Sequence, residues 1–417
     1  MTPKLRFPEF RDAPGWEEKQ LGNEGEFLSS LTGKSGEDFG TGSSKFVTYM
    51  NVFSNAFVDP ADLGAVDVKP GEKQNAIKMG DVLFTVSSET PEDVGMSSVL
   101  LDDLGDCYVN SFCALFRFHK RTAPNPIFTG FLLRQRIARE YFSRIAQGST
   151  RFNLSKDSFK NLPLAIPSPP EQQRIADCLS SLDESIAAHG RKLDTLKAHK
   201  KGLMQQLFPR EGETLPRFRF PEFQNAGDWE DRTLGDVADV LMCKRIFANE
   251  TNAIRGVPFY KIGTLGGTPD AFISKELFDD YKSKYNFPRK GEILITCSGT
   301  VGKCLQYDGS EGYYQDSNIV WIDNPTLEVS NEFLLSILSN VNWRTLNSTT
   351  ITRIYGPDLR SLAMKFPQNQ KEQQLIADCL SSLDEVIAVQ TQKLDALRTH
   401  KKGLMQQLFP SPDEVEA

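Results

Sequence analysis

The sequence predicts an α+β protein with internal pseudo-two-fold symmetry, in which two structurally similar mixed α/β domains are separated by an antiparallel coiled coil of two long repeated helices. Three observations lead there. The stretch from Glu171 to Pro209 returns 201 positions later, from Glu372 to Pro410, with roughly three positions in four identical, and a repeat decides how the rest is parsed. A lead-in reading FPEF and then Trp also occurs twice, so that Phe10, Trp16 and Leu21 match Phe223, Trp229 and Leu234 at a displacement of 213. Between lead-in and helix the two copies diverge strongly, yet their apolar runs keep the same order.

The elements follow in chain order. Residues 80–87 (GDVLFTVS) answer 291–298 (GEILITCS), and each reads as a turn followed by a buried strand. Residues 107–116 answer 313–322 as a further strand, and Phe131-Leu132-Leu133 answers Phe333-Leu334-Leu335 inside an apolar-periodic helix. Polar loops opening at 148–150 and 348–350 lead to strands at 162–167 and 362–367, which deliver the chain to the long helices.

In the first long helix Ile175, Leu179, Leu182, Ile186, His189, Leu193, Leu196, Lys200, Leu203 and Leu207 fall at alternating steps of four and three. That is the seam of a coiled coil. The second copy supplies Ile376, Leu380, Leu383, Ile387, Gln390, Leu394, Leu397, Lys401, Leu404 and Leu408. Polar residues interrupt both seams at the same two places. They are expected either to fix register and orientation or to mark where the seam opens or a partner helix covers it. Ser168 with Glu171, and Asn369 with Glu372, have capping-box spacing, Pro169 suits the first helical position, and Pro209 and Pro410 end the helices. A seam of about 33 residues makes a rod of roughly 50 Å. Parallel packing would force the chain back along the whole rod, so the short polar linker at 209–215 favours antiparallel helices. The expected segments are 1–167, 168–209, 210–368, 369–410 and an acidic tail at 411–417, expected to be disordered.

Composition narrows the function classes. Hydrophobic content of 39% and charged content of 25% suit an ordinary globular chain of several domains, with no apolar leader or membrane span, so a cytoplasmic protein is expected. Seven cysteines without a CxxC pair suit a reducing compartment and read as small buried hydrophobes. The net charge of −7 counts against nucleic-acid binding, but basic residues cluster between Arg117 and Lys160, which leaves room for a basic face or a solvated helix surface. Catalytic motifs are missing. Thr32-Gly33-Lys34-Ser35 resembles the end of a P-loop, but position 28 is Leu where Gly is required, and Gly299 through Lys303 has the wrong spacing. Asn324-Pro325-Thr326-Leu327 is a faint echo of an adenine-methyltransferase motif, and four histidines offer no paired metal spacing.

The order of lead-in, variable domain and EQQ-IA-L-S-LD helix, run twice, resembles the specificity subunit of a type I restriction–modification system. The carrying lines are PSPPEQQRIADCLSSLDESI and its copy, KKGLMQQLFP twice, and FPEF…W twice. The resemblance implies that the variable domains are target-recognition domains, each reading half of a bipartite site on double-stranded DNA. It implies that the helices set the spacing and carry two modification (methyltransferase) subunits, with two restriction (endonuclease/translocase) subunits joining them. No cofactor is then expected on this chain: S-adenosylmethionine serves the methyltransferase partners, which methylate adenine N6, and ATP and Mg serve the restriction partners. Physical reasoning agrees, since fusing two copies and letting only the readers diverge frees a two-fold scaffold from palindromic sites. An acidic DNA mimic or inhibitor of such a complex is the rival, and it requires carboxylates regularly spaced along one face, which the sequence lacks.

Candidate DNA contacts are polar or basic residues in loops after buried strands, because loops on rigid scaffolds carry recognition. They are Ser87, Ser88, Thr90, Arg151, Asn153 and Lys156 in the first domain. In the second they are Lys244, Arg245, Ser298, Thr300, Lys303, Thr352 and Arg353. Arg forks onto guanine and Asn onto adenine, while Lys more often holds phosphate. An ordinary polar turn is the competing reading of each, and Gly299 through Lys303 also reads as a hairpin turn.

Overall fold

Each half of the chain is built around one run of three apolar residues closed by a Thr, VLFT at 82–85 and ILIT at 293–296, and such runs suit strands covered on both faces. The computed structural model describes residues 1–343 and 353–411. The chain divides into two compact units, Met1–Gly190 with the stretch from Gln392 onward, and Arg191–Thr391. Each long helix therefore contributes one part to each unit. The loop expected at 348–350 and the tail beyond 411 lie outside the described residues.

The first unit begins with β1 (Glu17–Gln20), β2 (Gly25–Leu28), β3 (Phe39–Val47), α1 (Tyr49–Ser54), β4 (Leu63–Val66), β5 (Val82–Thr85) and β6 (Ser87–Ser88). It continues through β7 (Ser97–Val99), β8 (Cys107–Val109), β9 (Cys113–Phe118), α2 (Pro126–Leu132) and α3 (Arg136–Ile145). Then come β10 (Phe152–Asn153), α4 (Lys156–Lys160), β11 (Pro163–Ile166) and the long α5 (Pro169–Leu207). The buried β5 lies inside a four-stranded antiparallel sheet of order β2-β9-β5-β7. A second sheet, β4-β3-β8, joins β3 to β8 in parallel.

The second unit repeats this plan with β12 (Glu230–Thr233), α6 (Leu234–Val237), β13 (Asp239–Leu241), β14 (Val257–Tyr260), β15 (Phe272–Ile273), α7 (Lys275–Lys284) and β16 (Ile293–Thr296). It ends with β17 (Cys304–Gln306), β18 (Tyr313–Tyr314), β19 (Ile319–Asp323), α8 (Asn331–Asn340), α9 (Gly356–Arg360), β20 (Ala363–Phe366) and α10 (Gln370–Leu408). Its sheets run β13-β19-β16-β17 and β15-β14-β18, with β14 and β18 parallel, so the strand order of the first unit recurs position for position.

One expectation is corrected. Residues 107–116 and 313–322 do not form single strands; each run splits into two strands that enter different sheets. In the first unit the break is chemical: the Asn110 Oδ1 accepts the Phe112 N–H at 2.8 Å, an Asx turn that competes with the extended ladder.

The repeated EQQ motif fastens each long helix to its domain. The Glu171 carboxylate accepts from Arg6 Nε and Nη2 at 2.8 and 2.7 Å and from the Trp16 indole at 3.2 Å. Glu372 does the same with Arg219, at 2.7 and 2.8 Å, and with Trp229 at 3.3 Å. These carboxylates thus serve the lead-ins rather than completing the expected capping boxes, although Asn369 does cap α10 by accepting the Lys371 N–H at 3.0 Å. Gln172 donates to the Pro167 carbonyl and accepts the Asn125 N–H, both at 2.8 Å, tying strand end, helix start and the N-cap of α2 together. Gln373 repeats this with Pro367 and with Ser330, the N-cap of α8.

All sixteen apolar seam residues are buried or half-buried. In the first unit Ile175 and Leu179, from the start of α5, share a core with Leu404, Leu408 and Phe409 at the end of α10. In the second unit Leu203 and Leu207, from the end of α5, share one with Ile376 and Leu380 at the start of α10. Start against end in both units is antiparallel packing. Of the interrupting residues, Gln390 is buried and His189 half-buried, while the two lysines turn to acids on the opposite helix: Lys401 pairs with Asp183 and Lys200 with Asp384, each at 2.5 Å. Among the cysteines, Cys107, Cys113, Cys243 and Cys297 are buried as expected, but Cys178, Cys304 and Cys379 are only half-buried.

Candidate nucleic-acid interface

In both units the residue just past the central strand is gripped on two sides. The Val86 N–H donates to the Phe112 carbonyl at 3.2 Å, and the Val86 carbonyl accepts the Leu154 N–H at 2.9 Å. Cys297 stands in the same place: its N–H donates to the Asn318 carbonyl at 2.8 Å and its carbonyl accepts the Ile354 N–H at 2.9 Å. Each junction gathers three segments distant in sequence. The next residue is the half-buried Ser298 in one unit and Ser87 in the other, and Ser87 and Ser88, expected as exposed loop contacts, are both buried because strand pairing covers them.

The first junction brings four of the six expected residues together. Ser87 and Ser88 form β6 and pair with Asn153 and Phe152 of β10. The exposed Arg151 donates from Nε to the Ser87 Oγ at 2.9 Å, which fixes its guanidinium to this ribbon. Asn153 is exposed and donates to the Arg151 carbonyl at 3.2 Å. Tyr49, missed at sequence level, donates its hydroxyl to the Ser87 carbonyl at 2.6 Å; burial pushes its phenol above the usual range, so it stays a donor. The remaining two stand apart: Thr90 is bound to Asp93 at 2.7 Å, and Lys156 opens α4 in solvent.

The second junction gathers Ser298 and Arg353. Ser298 donates to the Asn318 Oδ1 at 2.8 Å, and Arg353 donates from Nη2 to the Ser317 carbonyl at 3.3 Å, its guanidinium lying 5.5 Å from the exposed Tyr355 ring. Ser317 holds a φ of 54°, a left-handed backbone that non-glycine residues seldom take and that recurs at functional sites. Thr300 and Lys303 belong to the β16–β17 hairpin turn, where the Gly302 N–H donates to the Thr296 carbonyl at 2.8 Å and Lys303 is spent on the Leu265 carbonyl. Gly302 takes a φ of 79° there, and a Cβ would strike the Trp343 ring at 2.0 Å. Lys244 and Arg245 form another group in which each cation lies over a ring, Tyr285 at 5.2 Å and Phe247 at 5.6 Å. Thr352 lies outside the described residues.

Sequence reasoning missed Tyr49, Ser317 and Asn318. The usable signal was a short polar turn, NS at 110–111 and DSN at 316–318, interrupting an apolar run. An Arg, hydroxyls and amides on a rigid strand end have the donors and acceptors that base edges and phosphates present.

Comparison with known proteins speaks to the family and the fold. The family model for the type I restriction modification DNA specificity domain matches twice, at residues 15–198 and 226–399. A putative type I restriction enzyme specificity subunit of Haemophilus influenzae is 36% identical over 230 residues, 55% of this chain and 58% of that relative, so the match spans less than two thirds of its length. The putative type I restriction enzyme MjaX specificity subunit of Methanocaldococcus jannaschii is 23% identical over 392 residues, 89% of this chain and 87% of the relative. Among solved structures, the S subunit of a type I restriction–modification system from M. genitalium superposes with a TM-score of 0.62 at 14% identity, covering 99% of this chain and 100% of that one. At that identity the likeness speaks for the fold. With two matched domains spanning most of its length, the chain belongs to the type I restriction–modification DNA specificity family.

Proposed function

We propose that this chain is the DNA-sequence-reading subunit of a type I restriction–modification complex, each unit reading one half of an asymmetric bipartite site. The observation that carries the reading is the same three-segment junction built twice on one strand order but dressed differently, with the exposed Arg151 and Asn153 held at the buried Ser87 in one unit and Ser298, Asn318 and Arg353 in the other. One scaffold presenting two side-chain sets is what reading two unlike half-sites requires. The near-identical helices supply the spacing and two equivalent docking surfaces for two modification subunits, which two restriction subunits join. The chain itself is non-catalytic and acts in the cytoplasm. Methyl transfer from S-adenosylmethionine and ATP- and Mg-dependent steps belong to the partners. The DNA-mimic alternative loses support, because the junctions present guanidinium groups and the family matched is a DNA specificity family.

The test is to co-express the chain with its methyltransferase subunit and sequence the modified DNA. A single bipartite motif with an unspecified spacer is expected, and absence of any new motif rejects the proposal. Exchanging residues 24–167 for those of a related subunit should change one half-site only.

A further inference from the structure

Phe112 is the most exposed aromatic ring of the first unit among the described residues, 59% open to solvent. A single exposed ring means little by itself; its position gives it weight. It sits at the tip of the Asx turn between β8 and β9, its N–H held by the Asn110 Oδ1 and its carbonyl by the Val86 N–H, so the backbone that projects it is fixed on both sides. The neighbouring residue on the strand, Ser87, binds both Arg151 and Tyr49. An apolar ring therefore stands at the same junction as a guanidinium and the Asn153 amide. In the second unit the equivalent position, identified by the matching bond from the Cys297 N–H, is Asn318, whose side chain accepts from Ser298. The turn there is one residue longer, and Ser317 absorbs the difference with its positive φ.

We propose that Phe112 is a specificity-determining residue that packs on the 5-methyl group of a thymine in the half-site read by the first unit, with Asn318 the hydrogen-bonding counterpart in the second. The inference rests on the reading of the chain as a DNA-sequence reader. The thymine methyl is the one apolar feature that a base pair offers in the major groove, and apolar side chains recognise it. Arg151 and Asn153, tied to the same strand end through Ser87, suit neighbouring base edges, which favours edge reading over wedging between base steps, a contact that carries little single-base preference.

The experiment uses the full chain co-expressed with its methyltransferase subunit. Wild type, Phe112→Ala, Phe112→Leu and Asn318→Ala are compared by sequencing modified DNA, and the residue 24–167 exchange identifies the first unit's half-site. Phe112→Ala should relax one A·T position of that half-site, with discrimination there falling about tenfold. The other half-site should be unchanged, and Phe112→Leu should retain most of the preference. Asn318→Ala should relax a position in the opposite half. An unchanged motif in Phe112→Ala at normal modification levels overturns the proposal, as does an even loss at all positions or relaxation of a G·C position. A wild-type chain that yields no bipartite motif overturns instead the reading on which the proposal stands. Equal thermal unfolding midpoints of wild type and Phe112→Ala establish that a change of motif is not a folding defect.

Discussion

Arg6 and Glu171 stand 165 residues apart and meet in a forked ion pair of 2.8 and 2.7 Å, with both side chains almost wholly buried. Arg219 and Glu372 repeat it in the second unit. Removing one partner of such a pair strands the other charge away from water, so Arg6→Ala should cost about 3–5 kcal/mol in urea unfolding. Arg6→Lys should recover only part, since an ammonium cannot fork onto both carboxylate oxygens. Equal stability of Arg6→Ala and wild type would mean that the pair does not lock lead-in to helix.

Leu179 is fully buried in the first core, and Leu380 holds the same helix position in the second. Truncating either to Ala should destabilise by about 2–5 kcal/mol, since lost transfer energy and a residual cavity add. Leu182→Ala, at a half-buried seam position, should cost clearly less. Thermal unfolding of the three variants ranks them directly.

Lys200 pairs with Asp384 and Lys401 with Asp183, four side chains that keep part of their surface in water. A double-mutant cycle on either pair should give a coupling of only about 0.5 kcal/mol, falling with added salt. The charge-exchanged double variant Lys200→Asp with Asp384→Lys should recover most of the stability lost by Lys200→Asp alone. A coupling of several kcal/mol would instead mark these lysines as the principal register devices of the helices.

Arg151 and Arg353 carry the only guanidinium groups hydrogen-bonded at the two junctions among the described residues. If each reads a base, Arg151→Ala should relax one half-site and Arg353→Ala the other, by about 1–3 kcal/mol of discrimination each. Binding measured on matched and mismatched duplexes at fixed salt separates this from phosphate contact, which weakens all sequences alike.

Burial pushes the thiols of Cys107 and Cys297 up to about 11 and those of Cys113, Cys243 and Cys304 to about 12. Raised values leave little thiolate at pH 8, and the thiolate is the reactive form. Iodoacetamide at that pH should therefore label the half-buried Cys178 and Cys379 first, with Cys304 protected despite its partial exposure. Peptide mass spectrometry of the native protein reads the order.

The amount legible in the sequence differs by element for a physical reason. The helices declared themselves because a seam is periodic, and every residue of the pattern reports the same face. The buried strands at 82–85 and 293–296 were equally plain, each a run of consecutive apolar residues closed by a Thr. The split of 107–116 was not, because one Asx turn inside an apolar run decides it, and a single asparagine is a weak local signal. At the candidate interface the sequence could name loops by their place after strands but not the partners within them: Ser87 meets Arg151 across 64 residues and Ser298 meets Asn318 across 20.

The sequence by itself determined the repeat, the two-fold organisation, the α+β class and the family, because these rest on patterns that neighbouring residues share. Only the tertiary structure decided what Glu171 and Glu372 bind, which lysines leave the seam, and which side chains stand together at the ends of β5 and β16. Polar contacts are short-ranged and directional, so they exist only once the backbone has brought distant segments to within a few ångströms.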